Sequence, residues 1–596
     1  MRFSSESIDG VQVFAVSGTN TVAFGVAADT AARAGLLGFA IERKDTPKGK
    51  PHWLRGYKVF PSTGAVPGPE NDFSTRDQPI QSLVWDDSST KPGHHYLYTF
   101  HPLKGTPALL DRSAAPVSIE VDTERLYGET HDVFFNRGVA SSQAYAHEFN
   151  NLAPDKQPTP ELMRAALDWL SRDLDDAILR FIAAAKPGDR IRGCFYEFTY
   201  QPVLAAFVDA IDRGVDVKLI IDSKANADKY PLTENNTAIE AVGIPDSAII
   251  PRSARTSSIA HNKFMVLVTG KRATPKEVWT GSTNLTDGGI HGQANVGHWV
   301  RDGALAQTYL DYWTLLSTDP GGRTGDTTAD VRSKNAAFYT AVDSLSPVPA
   351  ATGIASGVTP VFSPRSGLAP LELYVSLLAG STALACATFP FTLAAQFKAA
   401  LSANTPSGPL CLLLLDIADR PSGSAKNPYV TLNSKNNVYE ASGSEIRTPL
   451  GRWVAETDTR ALQLNLHVEF VHCKFMLHDP LGPDPVVVTG SANFSAPSTN
   501  ANDENMIIIR GNTRVADIYF TEFARLFDHY YFRSVVDRLA AHPQPAATPG
   551  AATTDDGSLD LLENDTWLKK YSPGSLRSKR ANQFTQMAIA PHNIPN

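Results

Sequence analysis

From the N-terminus to about residue 125, apolar residues fall in short runs broken by turn formers: VQVFAVSG, TVAFGVAA, GLLGFAIER, IQSLVWDD and HHYLYTFHPL. Runs of this length and spacing predict an all-β sandwich. The period then changes. After a connecting segment (131–149), Leu162, Ala166, Trp169, Leu170, Leu174, Ala177, Ile178 and Phe181 recur at helical spacing. Thr159-Pro160-Glu161 supplies the start, as a cap, a first-turn proline and an acid, and Pro187-Gly188 supplies the stop. One long helix is predicted. Beyond it the chain alternates: strand near 191–196, helix near 202–213 with Arg213-Gly214-Val215 as a plain stop, strand 217–222 ending in Asp222. That βαβ rhythm predicts a sheet with helices against it.

The rhythm returns from about Gly380 as ALACATF, LAAQFKAALSA and LCLLLLD, the last ending at Asp416. The apolar segment GLAPLELYVSLL (367–378) reads as core. A Gly/Ala/Thr-rich connection around 320–360 separates the two runs, and HPQPAATPGAATTDDGS (542–558) reads as a flexible linker. The tail after it keeps Leu559, Leu561, Leu562, Trp567 and Tyr571, an apolar set suited to docking back as a strap. Four segments are therefore expected: 1–125, 126–345, 346–540, and a linker with strap over 541–596.

Composition adds bounds. At 596 residues the chain exceeds what one core can organise. A net charge of −8 argues against a generally basic, nucleic-acid-coating protein, while leaving room for a local positive groove. The four cysteines (Cys194, Cys386, Cys411, Cys473) are scattered in apolar settings without CxxC spacing, so buried free thiols are expected. The opening MRFSSESIDGVQVF lacks a basic start with a long apolar run, and no apolar stretch approaches the ~20 residues of a membrane span. The expectation is a cytoplasmic protein, with non-standard export the alternative.

The chemistry lies in a motif present twice. His261-Asn262-Lys263 is followed by Gly281-Ser282-Thr283-Asn284, and His472-Cys473-Lys474 by Gly490-Ser491-Ala492-Asn493. Each copy follows an aspartate-ended strand, so the motifs sit inside an internal duplication of about two hundred residues. On a strand, a lysine two residues after a histidine points to the same face, and Cys473 between them points into the core. Cleaving a phosphodiester without a metal needs a nucleophile, an acid for the leaving oxygen and donors for the anionic phosphate. Imidazole serves either of the first two roles near neutral pH. His261 with Lys263 and His472 with Lys474 are the candidate catalytic set. Asn284 and Asn493, with Ser282 and Ser491 beside them, are the candidate phosphate-binding set.

This duplicated HxK…GSxN pattern resembles the phospholipase D superfamily in its single-chain, two-motif form. The resemblance covers about 130–535, most firmly 255–300 and 465–510. It implies an α/β fold: a duplicated phospholipase D-like α/β/α sandwich with pseudo-twofold symmetry, here preceded by the all-β sandwich domain. It also implies a phosphohistidine intermediate, no metal and no cofactor. Separately, Lys91-Pro92-Gly93-His94-His95-Tyr96 resembles the Pro-Gly-x-x-Tyr corner of fibronectin type III and immunoglobulin-like modules, where a tyrosine hydroxyl ties a loop to the sheet.

The two copies differ. The family places an aspartate five residues after the lysine, as support for the local fold. Asp479 fills that position in the second copy and Val268 stands there in the first, which predicts a looser first motif. Farther on the family places a carboxylate that orients a histidine. Aligned without gaps from Gly-Ser-x-Asn, Glu504 matches Asn295 and Asn502 matches Gln293, so one half alone has an acidic orienter. A nucleophilic imidazole gains positive charge as it bonds phosphorus, which a carboxylate stabilises; an imidazole that starts protonated needs only an amide. Family members let the carboxylate of one half reach the histidine of the other. Glu504 is therefore assigned to His261 as nucleophile, and His472 is the general acid and later base, the swapped roles being the alternative.

His291 and His298 lack a matched acidic or thiolate set and read as solvated loop residues. Arg252 and Arg255 read either as contacts to an anionic substrate or as a solvated charge pair. The leading substrate is a phospholipid head-group ester, giving phosphatidic acid, with transfer to another alcohol in place of water. Peripheral membrane contact and a monomer go with that reading. The alternative is a metal-independent nuclease or a tyrosyl-DNA phosphodiesterase-like enzyme for DNA ends. A third is a binding protein that uses the duplicated domain as scaffold. Fold and motif give the reaction rather than the substrate.

Overall fold

In the computed structural model the early apolar runs pair into two sheets. The described residues are 1–596 without 47–48, 67–70, 139–144, 146–147, 151, 225–230, 255–258, 418–434, 444–469, 542–559 and 590–596. Arg255, the whole 542–558 segment and Leu559 lie outside them. One sheet joins Arg2–Ser4, Val11–Ser17, Val22–Ala28 and Val84–Asp87 in that order. The other is built on the long strand His95–Thr106, flanked by Gly38–Asp45 and Val117–Asp122. Alternate residues of each strand face one core, where Phe24 meets Trp85, Tyr98 and Phe100. The Tyr96 hydroxyl accepts from the Lys91 amide at 2.8 Å, tying the Pro92-Gly93 turn to its strand.

The C-terminal segment closes this module. Trp567 and Tyr571 are buried in the same core as Phe24. The Trp567 indole donates to Leu36 O at 2.7 Å, and the Tyr571 hydroxyl accepts from the Leu83 amide at 2.8 Å. Leu561 is buried too, whereas Leu562 stays exposed.

Two seven-stranded sheets follow, with one strand order. The first runs His131–Phe135, Val296–Val300, Thr274–Gly281, Lys263–Thr269, Arg190–Phe195, Asp216–Asp222, Ile249–Arg252. The second runs Gly357–Ser363, Glu504–Arg510, Val486–Gly490, Phe475–His478, Leu384–Phe389, Leu410–Leu415, Val438–Ser442. In each, the first βαβ unit makes a parallel pair (Phe195 opposite Ile221; Phe389 opposite Leu415). The strand of the HxK motif adds antiparallel to it. The helices Gly303–Ser317 and Thr513–Ala541 follow the last motif strands. Tyr312 of the former stacks on Phe362 of the second sheet, and Tyr519 of the latter packs on Phe135 of the first.

The predicted single helix is two, Pro160–Ser171 and Leu174–Ala183. Arg172 (φ 46°) and Asp173 (φ 70°) break it in the left-handed region, which costs non-glycine residues energy. Tertiary bonds hold the break: Arg172 is buried, donating to Phe135 O at 3.0 Å and pairing with Glu522 at 2.7 Å. Glu522 also pairs with Arg525 (2.9 Å) and accepts from Thr21 (3.1 Å), fastening the long helix to both the first half and the β module. The segment 367–378 supplies the helix Ala369–Ala379, with Leu371, Leu377 and Leu378 buried.

Candidate active site

Each motif histidine sits on the stretch leading into its strand, Lys263–Thr269 or Phe475–His478, and a strand-end aspartate shapes that stretch. Asp222 accepts from the Ala260 amide (2.7 Å); Asp416 accepts from those of Phe470 and Val471 (2.8 Å each). The same stretches bridge to the opposite half: Ala260 pairs with Asp503, and Val471 with Ala294. The residues after the partners, Glu504 and Asn295, are thereby carried to the histidine of the other half. The glycine of each GSxN motif is forced. Gly281 and Gly490 have φ of 138° and 156°, and a Cβ there would lie 2.2 Å from a carbonyl oxygen of the next strand (Val296 O; Asn505 O).

His261 Nδ1 lies 2.9 and 3.0 Å from the two Glu504 oxygens, and His472 Nδ1 lies 2.9 Å from Asn295 Oδ1. Both contacts anchor Nδ1 and leave Nε2 for chemistry; an amide oxygen as acceptor requires Nδ1–H on His472. The lysines fold back alike, Lys263 Nζ donating to His261 O and Lys474 Nζ to His472 O, each at 2.7 Å. All four side chains are buried; the histidines are each 5% exposed. Burial, with Lys263 and Lys474 nearby, pushes both imidazoles well below their ordinary pKa. Burial likewise lowers Lys263 to about 8 and Lys474 well below its usual range. It raises Glu504 to about 8, against the pull of the two ammonium groups. The cluster thus resists carrying its full positive charge until an anion joins it.

The serines are placed otherwise than the phosphate-binding expectation for them. Ser282 donates to Asn295 Oδ1 (2.8 Å) and Ser491 to Glu504 Oε2 (2.6 Å), and each accepts the amide of a neighbouring strand, Val296 or Asn505. Both hydroxyls are occupied in holding the orienters. Gln293 and Asn502 are equivalent again: Asn295 Nδ2 donates to Gln293 Oε1, and Asn502 Nδ2 to Glu504 Oε1, each at 3.4 Å. Asn284 Nδ2 donates to Glu197 Oε2. The Oδ1 atoms of Asn284 and Asn493 are buried without a hydrogen-bond partner.

Asp479 accepts the amides of Thr382, Ala383 and Leu384 (2.8–3.0 Å), fixing the start of the strand Leu384–Phe389. The first half makes a comparable tie from the other side, which corrects the expected loosening. Asp189, beside its equivalent strand, accepts from Gly270 N (2.7 Å) and Lys186 N (2.9 Å).

Two other expectations are corrected. His291 and His298 are fully buried, not solvated. His291 packs edge-on against Tyr200; His298 bonds His131 (2.9 Å) and the Tyr519 hydroxyl (3.1 Å). Arg252 is 1% exposed and bridges Asp503 of the second half (2.8 Å) and Asp319 (2.8 Å), so it is neither a solvated charge nor a substrate contact. Cys473, like the other three cysteines, is a buried free thiol.

Two site residues escaped the sequence reading. Tyr196 meets the His261 ring edge-on (centroids 5.2 Å) and lies beneath Lys263 Nζ at 5.5 Å; Glu197 follows it. Their signal was the strand-end position beside the HxK strand, where Phe195 pairs with Lys263. Among the described residues no group of three or more His, Cys, Asp or Glu side chains is arranged to hold a metal, and no helix is long and apolar enough to cross a membrane.

The family model described as cardiolipin synthase, PLD-like domain, matches residues 178–314 and again 388–527. A curated phospholipase D of Rickettsia bellii (strain RML369-C) is 31% identical over 119 residues, which cover 20% of this chain and 52% of that protein. The chain thus spans about half the length (52%) of the curated relative it matches. The chain is thus similar to PLD-like domains over two segments.

Among solved structures, the phosphatidylserine synthase of Haemophilus influenzae Rd KW20 is 12% identical, covering 60% of this chain and 85% of its own, with a TM-score of 0.41. Nuc from Salmonella typhimurium, a phospholipase D family member, is 29% identical over 24% of this chain and 84% of its own, TM-score 0.19. Yeast tyrosyl-DNA phosphodiesterase is 12% identical over 55% and 84%, TM-score 0.27. TM-scores this low add nothing to the assignment.

Proposed function

We propose that this chain hydrolyses phospholipid head-group esters to phosphatidic acid through a covalent phosphohistidine, its two PLD-like halves related by a pseudo-twofold and contributing one histidine each. The observation that carries the reading is the pair of buried imidazoles from different halves, both anchored at Nδ1 but by unlike partners: Glu504 on His261, Asn295 on His472. His261 Nε2 attacks phosphorus. The P–N bond forms, the P–O bond to the head group breaks, and His472 gives its Nε2 proton to the departing alkoxide. Glu504 acts in its ionised form, which the positive charge developing on His261 favours against the effect of burial, and its carboxylate stabilises that charge. Lys263, Lys474, Asn284 and Asn493 hold the non-bridging oxygens, while Ser282 and Ser491 position the orienters. In the second step His472 takes a proton from water, the oxygen attacks phosphorus, the P–N bond breaks and phosphatidic acid leaves. An alcohol in place of water gives transphosphatidylation.

The unlike orienters carry this order, because burial and the neighbouring lysines lower both imidazoles alike. A neutral His261 is the form that attacks. A bound phosphodiester anion offsets the lysine charges and lets His472 carry its proton. The substrate reading takes up the names of the matched family and relative, cardiolipin synthase and phospholipase D, and peripheral contact with a lipid surface goes with it. The test is incubation in excess EDTA with phosphatidylcholine mixed micelles and, in parallel, labelled single-stranded DNA, with His261→Ala as control. Phosphatidic acid formed by the wild type alone supports the reading. DNA cleavage with untouched lipid replaces it with the nuclease alternative, and activity unchanged in the variant overturns the histidine chemistry.

A further inference from the structure

The duplication allows each half to serve as the other's reference, and two equivalent positions at the active end of the sheets carry opposite chemistry. The strands Arg190–Phe195 and Leu384–Phe389 are counterparts: each pairs in parallel with the strand that leads to Asp222 or Asp416, and antiparallel with its HxK strand. Two residues beyond their ends stand Glu197 in the first half and Phe391 in the second. One residue beyond the paired aspartates stand Ser223 and Ile417. Phe391 and Ile417 are 47% and 56% exposed, large apolar side chains just past the strand ends of the second sheet that correspond to the Glu197 end of the first. They extend from neighbouring strands, since Phe389 pairs with Leu415. On the first-half side the same end of the sheet is polar: Glu197 accepts from Asn284, follows the Tyr196 ring that touches His261, and acts electrostatically on both Lys263 and Lys474.

We propose that Glu197 and the Phe391–Ile417 pair sort the two ester arms of the substrate by polarity, an ammonium-bearing arm toward Glu197 and an apolar arm over Phe391 and Ile417. This rests on the reading of the site as a phosphodiesterase. A carboxylate in a phosphate site is otherwise a poor choice: it repels the phosphate that the lysines attract and competes for the Asn284 amide. It becomes useful when one arm carries a positive charge, which it meets while the phosphate meets the lysines. It also disfavours dianionic monoesters and polyanionic strands, because each adds negative charge beside Glu197. The apolar pair then gives the uncharged arm a place where burying its surface is favourable. Glu197 and Phe391 are in this view specificity residues; the reacting groups remain the histidines.

The test measures kcat/KM for three diesters: phosphatidylcholine and phosphatidylglycerol in mixed micelles, and soluble bis(4-nitrophenyl) phosphate. Wild type should favour phosphatidylcholine over phosphatidylglycerol. Glu197→Gln should reduce that ratio by about tenfold or more, the scale of a lost charged contact. Phe391→Ser and Ile417→Ser should lower the micellar rate relative to the soluble diester while leaving the choline-to-glycerol ratio in place. Wild-type hydrolysis of all three diesters, with ratios that none of the variants moves, overturns the polarity assignment and leaves the phosphodiesterase reading standing. Wild type inactive on every diester overturns both.

Discussion

Replacing Glu504 with glutamine tests the asymmetry between the halves most sharply, because it gives His261 the kind of partner His472 already has. The carboxylate lies 2.9 Å from His261 Nδ1 and is itself held by Ser491 at 2.6 Å. A full charge developing on the imidazole at about 3 Å, at an effective dielectric of about 20, interacts with it by about 5 kcal/mol. The amide oxygen of glutamine recovers part of this as a neutral hydrogen bond, leaving a loss of about 3–5 kcal/mol, or roughly 10²- to 10⁴-fold in kcat. The assay is steady-state release of head group from phosphatidylcholine, with the folded state checked by urea unfolding. The defect should remain on a 4-nitrophenyl diester, because a better leaving group does not help the nucleophile. A variant within about fivefold of wild type, or one rescued by the better leaving group, would refute the assignment of Glu504 to a nucleophilic His261.

The remaining expectations are of three kinds. His472→Ala should lose most of its turnover on both substrates for want of a base in the second step, yet release a first-turnover burst of 4-nitrophenol from the 4-nitrophenyl diester, whose leaving group needs no proton; a burst slowed as much as lipid cleavage would speak against an acid role. Arg252→Met leaves Asp503 buried without its partner at the junction of the halves, and should destabilise by about 3–5 kcal/mol in urea unfolding. For Glu522, Arg172 and Arg525 overcome burial and bring the carboxyl down to about 2 from an ordinary 4.5. A depressed carboxylate contributes stability above the unfolded pKa and loses it as pH falls through the folded one. About 3 kcal/mol should therefore disappear between pH 4.5 and pH 2, and Glu522→Gln should flatten that slope.

The parts of the fold that were legible in the chain are those in which local pattern and tertiary role agree. The strand–helix–strand runs ending at Asp222 and Asp416 are buried parallel pairs with amphipathic helices, so their apolar runs are long and regular. The motif glycines were visible because the close approach of the next strand admits nothing larger. Ungapped alignment matched Glu504 to Asn295, and the two side chains do occupy equivalent positions, because both motifs lead into the same hairpin geometry. What stayed hidden is held by residues far apart in the chain. The break at Arg172 depends on Glu522, which no helical period reports. Arg252 looked solvated because its partners, Asp503 and Asp319, lie far along the chain. Asp189 makes its tie from before a strand, where the family pattern places the aspartate after one, so Val268 looked like a plain loss. The serines looked like phosphate ligands because the motif names them beside the asparagines, whereas the fold turns their hydroxyls to Asn295 and Glu504.

The most direct test of the account is to trap the covalent intermediate. Enzyme mixed with phosphatidylcholine should be quenched in base within one turnover, digested, and mapped by mass spectrometry for phosphorus attached to histidine. The account predicts a phosphatidyl adduct on His261, absent from His261→Ala and accumulating in His472→Ala with a good leaving group, where the second step lacks its base. An adduct on His472, or turnover of lipid with no histidine adduct at any time, would contradict it.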